Sequence, residues 1–248
     1  PSLVIPHQCM ENFFVFDTIA FVLYAGAFLV CITIIVLVKP PLYENAKRFF
    51  YALIVIVVFA VTGYISAYTI YKNAVLSPTG GPVHWHADFR IFHCGKELHI
   101  VNPKGFSNRV GTPLVHEHGD NRIHIEGTIL SLADTTLGNF FKQIGGTLAA
   151  DSLSFETDNG FIAMKNGDAC PDGMPGALNA FLWGTENNIA RQSKIQHVTN
   201  HIIFPHALVP PGDCVIFEFS SEKIEFTEHI CEQYSVAGAR GDIMIEFP

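Results

Sequence analysis

Hydrophobic and polar positions fall into two regimes along this chain. Residues 18–38, TIAFVLYAGAFLVCITIIVLV, and residues 49–70, FFYALIVIVVFAVTGYISAYTI, hold no charged side chain. At a rise of about 1.5 Å per residue each run covers the roughly 30 Å hydrocarbon core of a bilayer. Lipid offers no partner to a backbone amide, so each run is expected to be a helix that satisfies its own hydrogen bonds. Both runs exceed the apolar segment of a signal peptide, and neither ends in a small-residue cleavage site. The pattern predicts a tail over 1–17, a transmembrane hairpin over 18–73 with its loop at 39–48, and the lipid bilayer as a partner.

After residue 73 the pattern changes. SPTGGP at 77–82 breaks both helical and strand periodicity, which predicts a linker over 74–82. From Val83 onward the apolar positions recur every second residue: VHWHADFRIF, KELHIV, LVHEH, RIHIE, SLSFET, FIAMKN, ALNAFLW, CVIFEF and DIMIEF read as short strands split by turn residues. One helix interrupts them. In DTTLGNFFKQIGG, Asp134 to Thr136 offer capping oxygens, Leu137, Phe140, Phe141 and Ile144 recur at helical spacing, and Gly145 with Gly146 can close the end. Its apolar face should pack on the sheet. The fold class expected for 83–248 is α+β, mainly β, with β-grasp-like and sandwich arrangements both open. The stretch from Gly184 to Leu208 shows no clear period. Arg240-Gly241-Asp242 matches an adhesion tripeptide but is read as a turn before the last strand.

Charge adds an orientation. The loop KPPLYENAKR contains Lys39, Lys47 and Arg48, whereas the first 17 residues hold neither Lys nor Arg. Because positive loops stay in the cytoplasm, both termini and the 83–248 domain are expected outside it. The net charge of −8, with basic residues scattered, argues against nucleic acid or an anionic lipid surface as the main partner. Cys94, Cys170, Cys214 and Cys231 in an oxidising space predict two disulfides, with three pairings open. Cys31 reads as a small apolar residue of the first helix. The lack of any CxxC spacing argues against a thioredoxin-like site and a zinc ribbon.

The chemistry is carried by histidine. Of 12 in the chain, His84, His86, His93, His99, His116, His118 and His124 fall between residues 84 and 124. Strand alternation puts Trp85, Ala87, Phe89 and Ile91 on one face and His84, His86 and Asp88 on the other. His116 and His118 likewise share a face. If the turn after LVHEH is the three residues 119–121, His118 pairs with Arg122 and His116 with His124, so that all three histidines share one face with Glu126; a two-residue turn would split them. Neutral imidazoles converging in this way suit Zn(II) or Cu(II), with Asp88 or Glu126 as a further ligand or as hydrogen-bond partner to one; more carboxylate would suit Fe(II) or Mn(II). The candidate ligands are His84, His86, His116, His118 and His124. The alternative is that these histidines are polar filler or a pH sensor. His93 falls on the Trp85 face as a structural residue, and His197, His201, His206 and His229 lie in segments with no clear pattern.

At VHWHADFRIFHCGKEL, LVHEHGDNRIHIEG and TTLGNFFKQIGG the chain resembles a group of uncharacterised, membrane-anchored, His-rich extracytoplasmic proteins of archaea and small-genome bacteria. An H-x-H strand, a second H-x-H with I-H-x-E and a T-L-G-x-F-F helix recur there in this order. The resemblance covers most of 83–248; it implies the same site and supplies no reaction. H-x-H strands also resemble those of cupins, but Glu126 comes eight residues after His118, which departs from the cupin spacing.

Three functions follow as expectations. The first is a non-catalytic copper- or zinc-binding ectodomain, acting as a metal carrier or as an accessory subunit docked by its helices onto a larger membrane complex, with small residues such as Gly26 and Gly63 allowing close helix approach. The second is a metal-dependent hydrolase or lyase with three histidines, an open position for water, and Glu117, Glu126 or Asp88 as base, loosely similar to α-type carbonic anhydrases. The third is a scaffold or assembly subunit without metal.

Overall fold

The computed structural model describes residues 7–38, 43–205, 210 and 212–248. The tail before residue 7, the loop residues 39–42 and His206 lie outside the described residues. The chain divides into two units, residues 1–72 and 73–248.

The first unit holds two helices, α1 (His7–Val38) and α2 (Glu44–Tyr71), and the Phe21 and Tyr64 rings meet edge to face between them at 5.0 Å. Both are long and apolar enough to cross a membrane. The first starts at His7 rather than at residue 18. No Gly or Pro stands between His7 and Thr18, so nothing in the sequence stops the helix from extending back.

The second unit begins earlier than residue 83. Thr128 Oγ1 donates to Asn73 Oδ1 at 2.6 Å, and Ser77 is buried with its hydroxyl 2.8 Å from that of Thr79. Within the segment expected to be a linker, the Ser77 and Thr79 hydroxyls and the Gly81 carbonyl bond one another.

Its elements are β1 (Pro82–His93), β2 (Lys96–Leu98), β3 (Val110–Gly111), β4 (Val115–Glu117), β5 (Arg122–Thr128), α3 (Leu137–Gln143), β6 (Thr147–Leu148), β7 (Ser152–Thr157), β8 (Gly160–Lys165), β9 (Ala177–Glu186), β10 (Ile189–Lys194), β11 (Cys214–Ser220), α4 (Glu232–Arg240) and β12 (Met244–Glu246). Among the described residues they make a mixed α+β fold: a nine-stranded sheet in the order β12-β10-β9-β11-β1-β5-β4-β3, with β2 also on β1, and a three-stranded sheet β6-β7-β8. β11 lies parallel to β1.

Turn chemistry accounts for the hairpins. Cys94 and Gly95, at φ 50° and 80°, join β1 to β2, and Asn187 with Asn188, at φ 50° and 62°, join β9 to β10. Two left-handed residues in a two-residue loop match the right-handed strand twist.

The odd-numbered face of the central strands is the main core. Ala87, Phe89 and Ile91 of β1, Ile123 and Ile125 of β5, and Val215, Phe217 and Phe219 of β11 pack there with Leu137, Phe140 and Phe141 of α3 and with Leu153 and Phe155 of β7. Thr136 caps α3, its hydroxyl accepting from Asn139 N at 3.3 Å. Each of the three α3 side chains is fully buried, worth about 1.5–3 kcal/mol apiece relative to exposure. Gly138 is required by this packing, because a Cβ there would sit 2.6 Å from Thr199 Cγ2.

The even-numbered face is divided. At one end Phe92, Phe181, Trp183, Cys214 and Ile216 form a second core under Tyr234 and Ala237 of α4. At the other end the same face, across β1, β5 and β4, carries the histidines. Helix α4 was not legible in the sequence; its end at Gly241, φ 77°, is the turn expected there. The disulfides pair Cys94 with Cys170 and Cys214 with Cys231.

Candidate metal centre

Strand register assembles the site. His84 stands opposite Glu126, His86 opposite His124, and Asp88 opposite Arg122 along β1 and β5, while His124 also stands opposite His116 of β4. His86, His124 and His116 thus form one row across three neighbouring strands. Ring centroids are 4.6 Å apart for His84 and His86, 4.7 Å for His86 and His124, 5.4 Å for His124 and His116, and 4.7 Å for His118 against both His116 and His124. All five candidate histidines belong to this cluster.

The expected parity holds, but the turn is longer than three residues. β4 ends at Glu117, whose buried carboxylate accepts from Asp120 N at 2.7 Å and from Asn121 N at 3.1 Å. Those bonds tighten the turn so that residues 118–121 leave the ladder. His118 is therefore not paired with Arg122, and its Nδ1 instead meets the Asn108 carbonyl oxygen. Glu117 lies on the core side, away from the imidazoles, and is occupied in holding the turn.

Among the described residues, two groups of three have ligand atoms all within 4.8 Å of one another: His84, His86 and His124, and His116, His118 and His124. Neither contains a carboxylate. Glu126 Oε1 lies 2.9 Å from His84 Nε2, as a hydrogen-bond partner to a candidate ligand. Asp88 accepts from Arg122 Nε at 2.6 Å on Oδ1, while its buried Oδ2 meets no hydrogen-bond donor among the described residues. Burial raises its pKa against the opposing pull of Arg122. Asp120, which the sequence suggested only as a turn residue, places Oδ2 3.3 Å from His124 Nε2. Its position four residues before His124, across a turn that folds back, is the signal that could have found it.

The donor set fits a metal that prefers imidazole. His116 is 2% exposed and His124 9%, and the Nδ1 atom of each is buried without a hydrogen-bond partner among the described residues. A buried polar atom left unpaired costs about 1–3 kcal/mol, and a cation would satisfy both. Burial, reinforced by neighbouring imidazoles, depresses the pKa of His116; burial also depresses that of His124, and that of His86 falls to about 4. Their rings are neutral at pH 7, with lone pairs free to ligate.

These shifts predict a pH dependence for the metal-free protein. Each of the three has its folded pKa below the unfolded value of about 6.5, so below that value the unfolded chain binds more protons. The contribution is fully present above about pH 6.5 and is lost as pH falls toward 4. The urea midpoint is expected to fall over that window, and His86→Gln to flatten part of the fall. An unchanged midpoint between pH 7 and 4.5 would contradict the burial of these rings.

Among the described residues, the other histidines lie outside the two three-imidazole groups. His93 stacks on Phe219 and His229 on Phe92. His99 Nδ1 lies 3.1 Å from Asn121 Oδ1, and His201 Nε2 2.9 Å from Asp213 Oδ2. A cleft of about 690 Å³ beside the site is lined by Asp88, Arg90, Asp120 and Arg122 together with residues of α4, and by none of the five histidines. Comparison with known protein families, curated proteins and solved structures finds no match to this chain.

Proposed function

We propose that this is a membrane-anchored, extracytoplasmic copper- or zinc-binding protein that acts as a metal carrier or as an accessory subunit of a larger membrane complex. The observation that carries the reading is the His86–His124–His116 row, with its two three-imidazole groups. An all-nitrogen donor set of neutral imidazoles favours Cu(II) and Zn(II) over the oxygen-preferring cations. Placement outside the cytoplasm is supported by the basic loop between the apolar runs and by two disulfides. A β1–β5 antiparallel pair, the α3 crossover and the return of β11 parallel to β1 support a β-grasp-like reading of the second unit.

Carriage is favoured over catalysis by accessibility. His84 lies exposed at the surface, where an ion can be exchanged with a partner, and the neighbouring cleft is lined by ion-paired side chains rather than by the imidazoles. The hydrolase or lyase reading draws on the fact that three imidazoles leave a coordination position for water. A scaffold without metal is the outcome if no ion binds.

Elemental analysis of the purified, tag-free chain tests the proposal against a variant carrying His116→Ala and His118→Ala. Near-stoichiometric copper or zinc is expected in the parent and substantially less in the variant. Equal, trace metal in both would leave only the scaffold.

A further inference from the structure

The five histidines are too many, and too widely spread, for one four-coordinate ion. Neighbouring strands lie about 4.8 Å apart, so side chains of β1 and β4, with β5 between them, stand about 9–10 Å apart at the backbone. Two nitrogens on one Zn(II) or Cu(II) ion, each bonded at about 2.0–2.1 Å, can be no more than about 4 Å from each other. His124 alone is one strand away from both sides. It belongs to both groups of three, while His84 and His86 occur only in one and His116 and His118 only in the other.

We propose that this face holds two ions of the imidazole-preferring Cu(II) and Zn(II) class at once, one at His84 and His86, the other at His116 and His118, with the ring of His124 shared between them. The inference rests on the metal-binding reading above and deepens it. An imidazole can serve two ions because its nitrogens lie on different edges of the ring. In His124, Nδ1 is buried and has no hydrogen-bond partner among the described residues, while Nε2 has Asp120 Oδ2 at 3.3 Å, a contact an ion can replace. The balance is simple. The first ion takes one nitrogen lone pair of the neutral ring; the second takes the pair freed when the remaining N–H proton leaves to water. One proton is released, and no oxidation or reduction occurs.

The flanking ligands fit different demands. His116 is fully enclosed, which suits a retained ion, whereas His84 is exposed and hydrogen-bonded to Glu126, which suits an exchanging one. A two-position site with a shared ligand can pass an ion inward without releasing it to water.

Copper(II) titration of the full chain in detergent tests this, read by bound copper per chain and by electron paramagnetic resonance. Saturation is expected at two coppers per chain. The resonance intensity should rise with the first equivalent and fall with the second, because a bridging imidazolate couples the two unpaired spins. His84→Ala with His86→Ala, which leaves β5 and β4 untouched, should saturate at one copper with full intensity. His124→Gln should abolish the coupling. One copper per chain in the parent, or two at full intensity, would overturn the sharing while leaving metal binding intact. No bound copper would overturn both.

Discussion

Gly212→Ala is expected to destabilise the second unit by roughly 2–5 kcal/mol and to weaken metal binding, although Gly212 is not one of the candidate ligands. Gly212 adopts φ 76° just before β11, and a Cβ there would lie 1.7 Å from the His86 carbonyl oxygen. Left-handed backbone costs a non-glycine residue about 1–2 kcal/mol. Overpacking against a fixed backbone atom adds about 1–3 kcal/mol more. The strain cannot be released locally, because Asp88 N donates to Asp213 O at 2.8 Å and so ties the two segments together at this point. Either β11 withdraws or β1 shifts at His86. Gly241→Ala is the matched control: φ is 77° there, but nothing lies within 4 Å of the added Cβ. That variant should lose only the conformational part, about 1–2 kcal/mol. The two are compared by urea midpoint and by zinc affinity. Equal losses would show that the contact between Gly212 and His86 does not matter.

Reduction of the two disulfides is expected to unfold the second unit. Closing a loop of 76 residues between Cys94 and Cys170 restricts the unfolded chain by about 4.5 kcal/mol, and one of 17 residues between Cys214 and Cys231 by about 3 kcal/mol. Together these are comparable with the whole stability of a typical domain, about 5–15 kcal/mol. The shorter loop also carries a specific join. Cys231 is the residue from which α4 starts, Cys214 is the first residue of β11, and both are at most 1% exposed. Without that bond, the helix covering Trp183 and Phe181 loses its anchor to the sheet. Circular dichroism in reductant, after brief exposure to denaturant so that the buried bonds are reached, should show lost strand signal on return to buffer. Full recovery would mean that packing alone holds the unit.

Much of the site was legible because it depends on parity. Alternation along β1 placed His84 and His86 opposite the Trp85 and Phe89 face, and the β4–β5 register of an odd-length turn, with His116 opposite His124, kept both on one face although His118 itself leaves the ladder. What parity does not contain is the identity of neighbouring strands. That β5 lies between β1 and β4, making His124 central, follows from long-range pairing that local pattern does not encode. The same holds for Asp88, which alternation placed with the histidines and which the register instead gave to Arg122. Helix α3 was visible from its capping threonine and its i, i+3, i+4 apolar set. α4 was not, because EQYSVAGAR buries only Tyr234 and Ala237 and has two weak apolar turns. The β9–β10 hairpin was missed for another reason: Asn187-Asn188 supplies the left-handed pair usually signalled by Asn-Gly, and the strand after it, IARQSK, ends in four consecutive polar residues and shows no alternation.

X-ray absorption at the metal edge of the zinc- or copper-loaded full chain tests the central claim most directly, since it reports the donor atoms themselves. The account predicts a shell of nitrogen at about 2.0–2.1 Å with the multiple-scattering pattern of imidazole rings, reduced in the His116→Ala and His118→Ala variant. A shell of sulfur at about 2.3 Å, pointing to Cys31 or to reduced cysteines, or an oxygen shell without imidazole scattering, would contradict it.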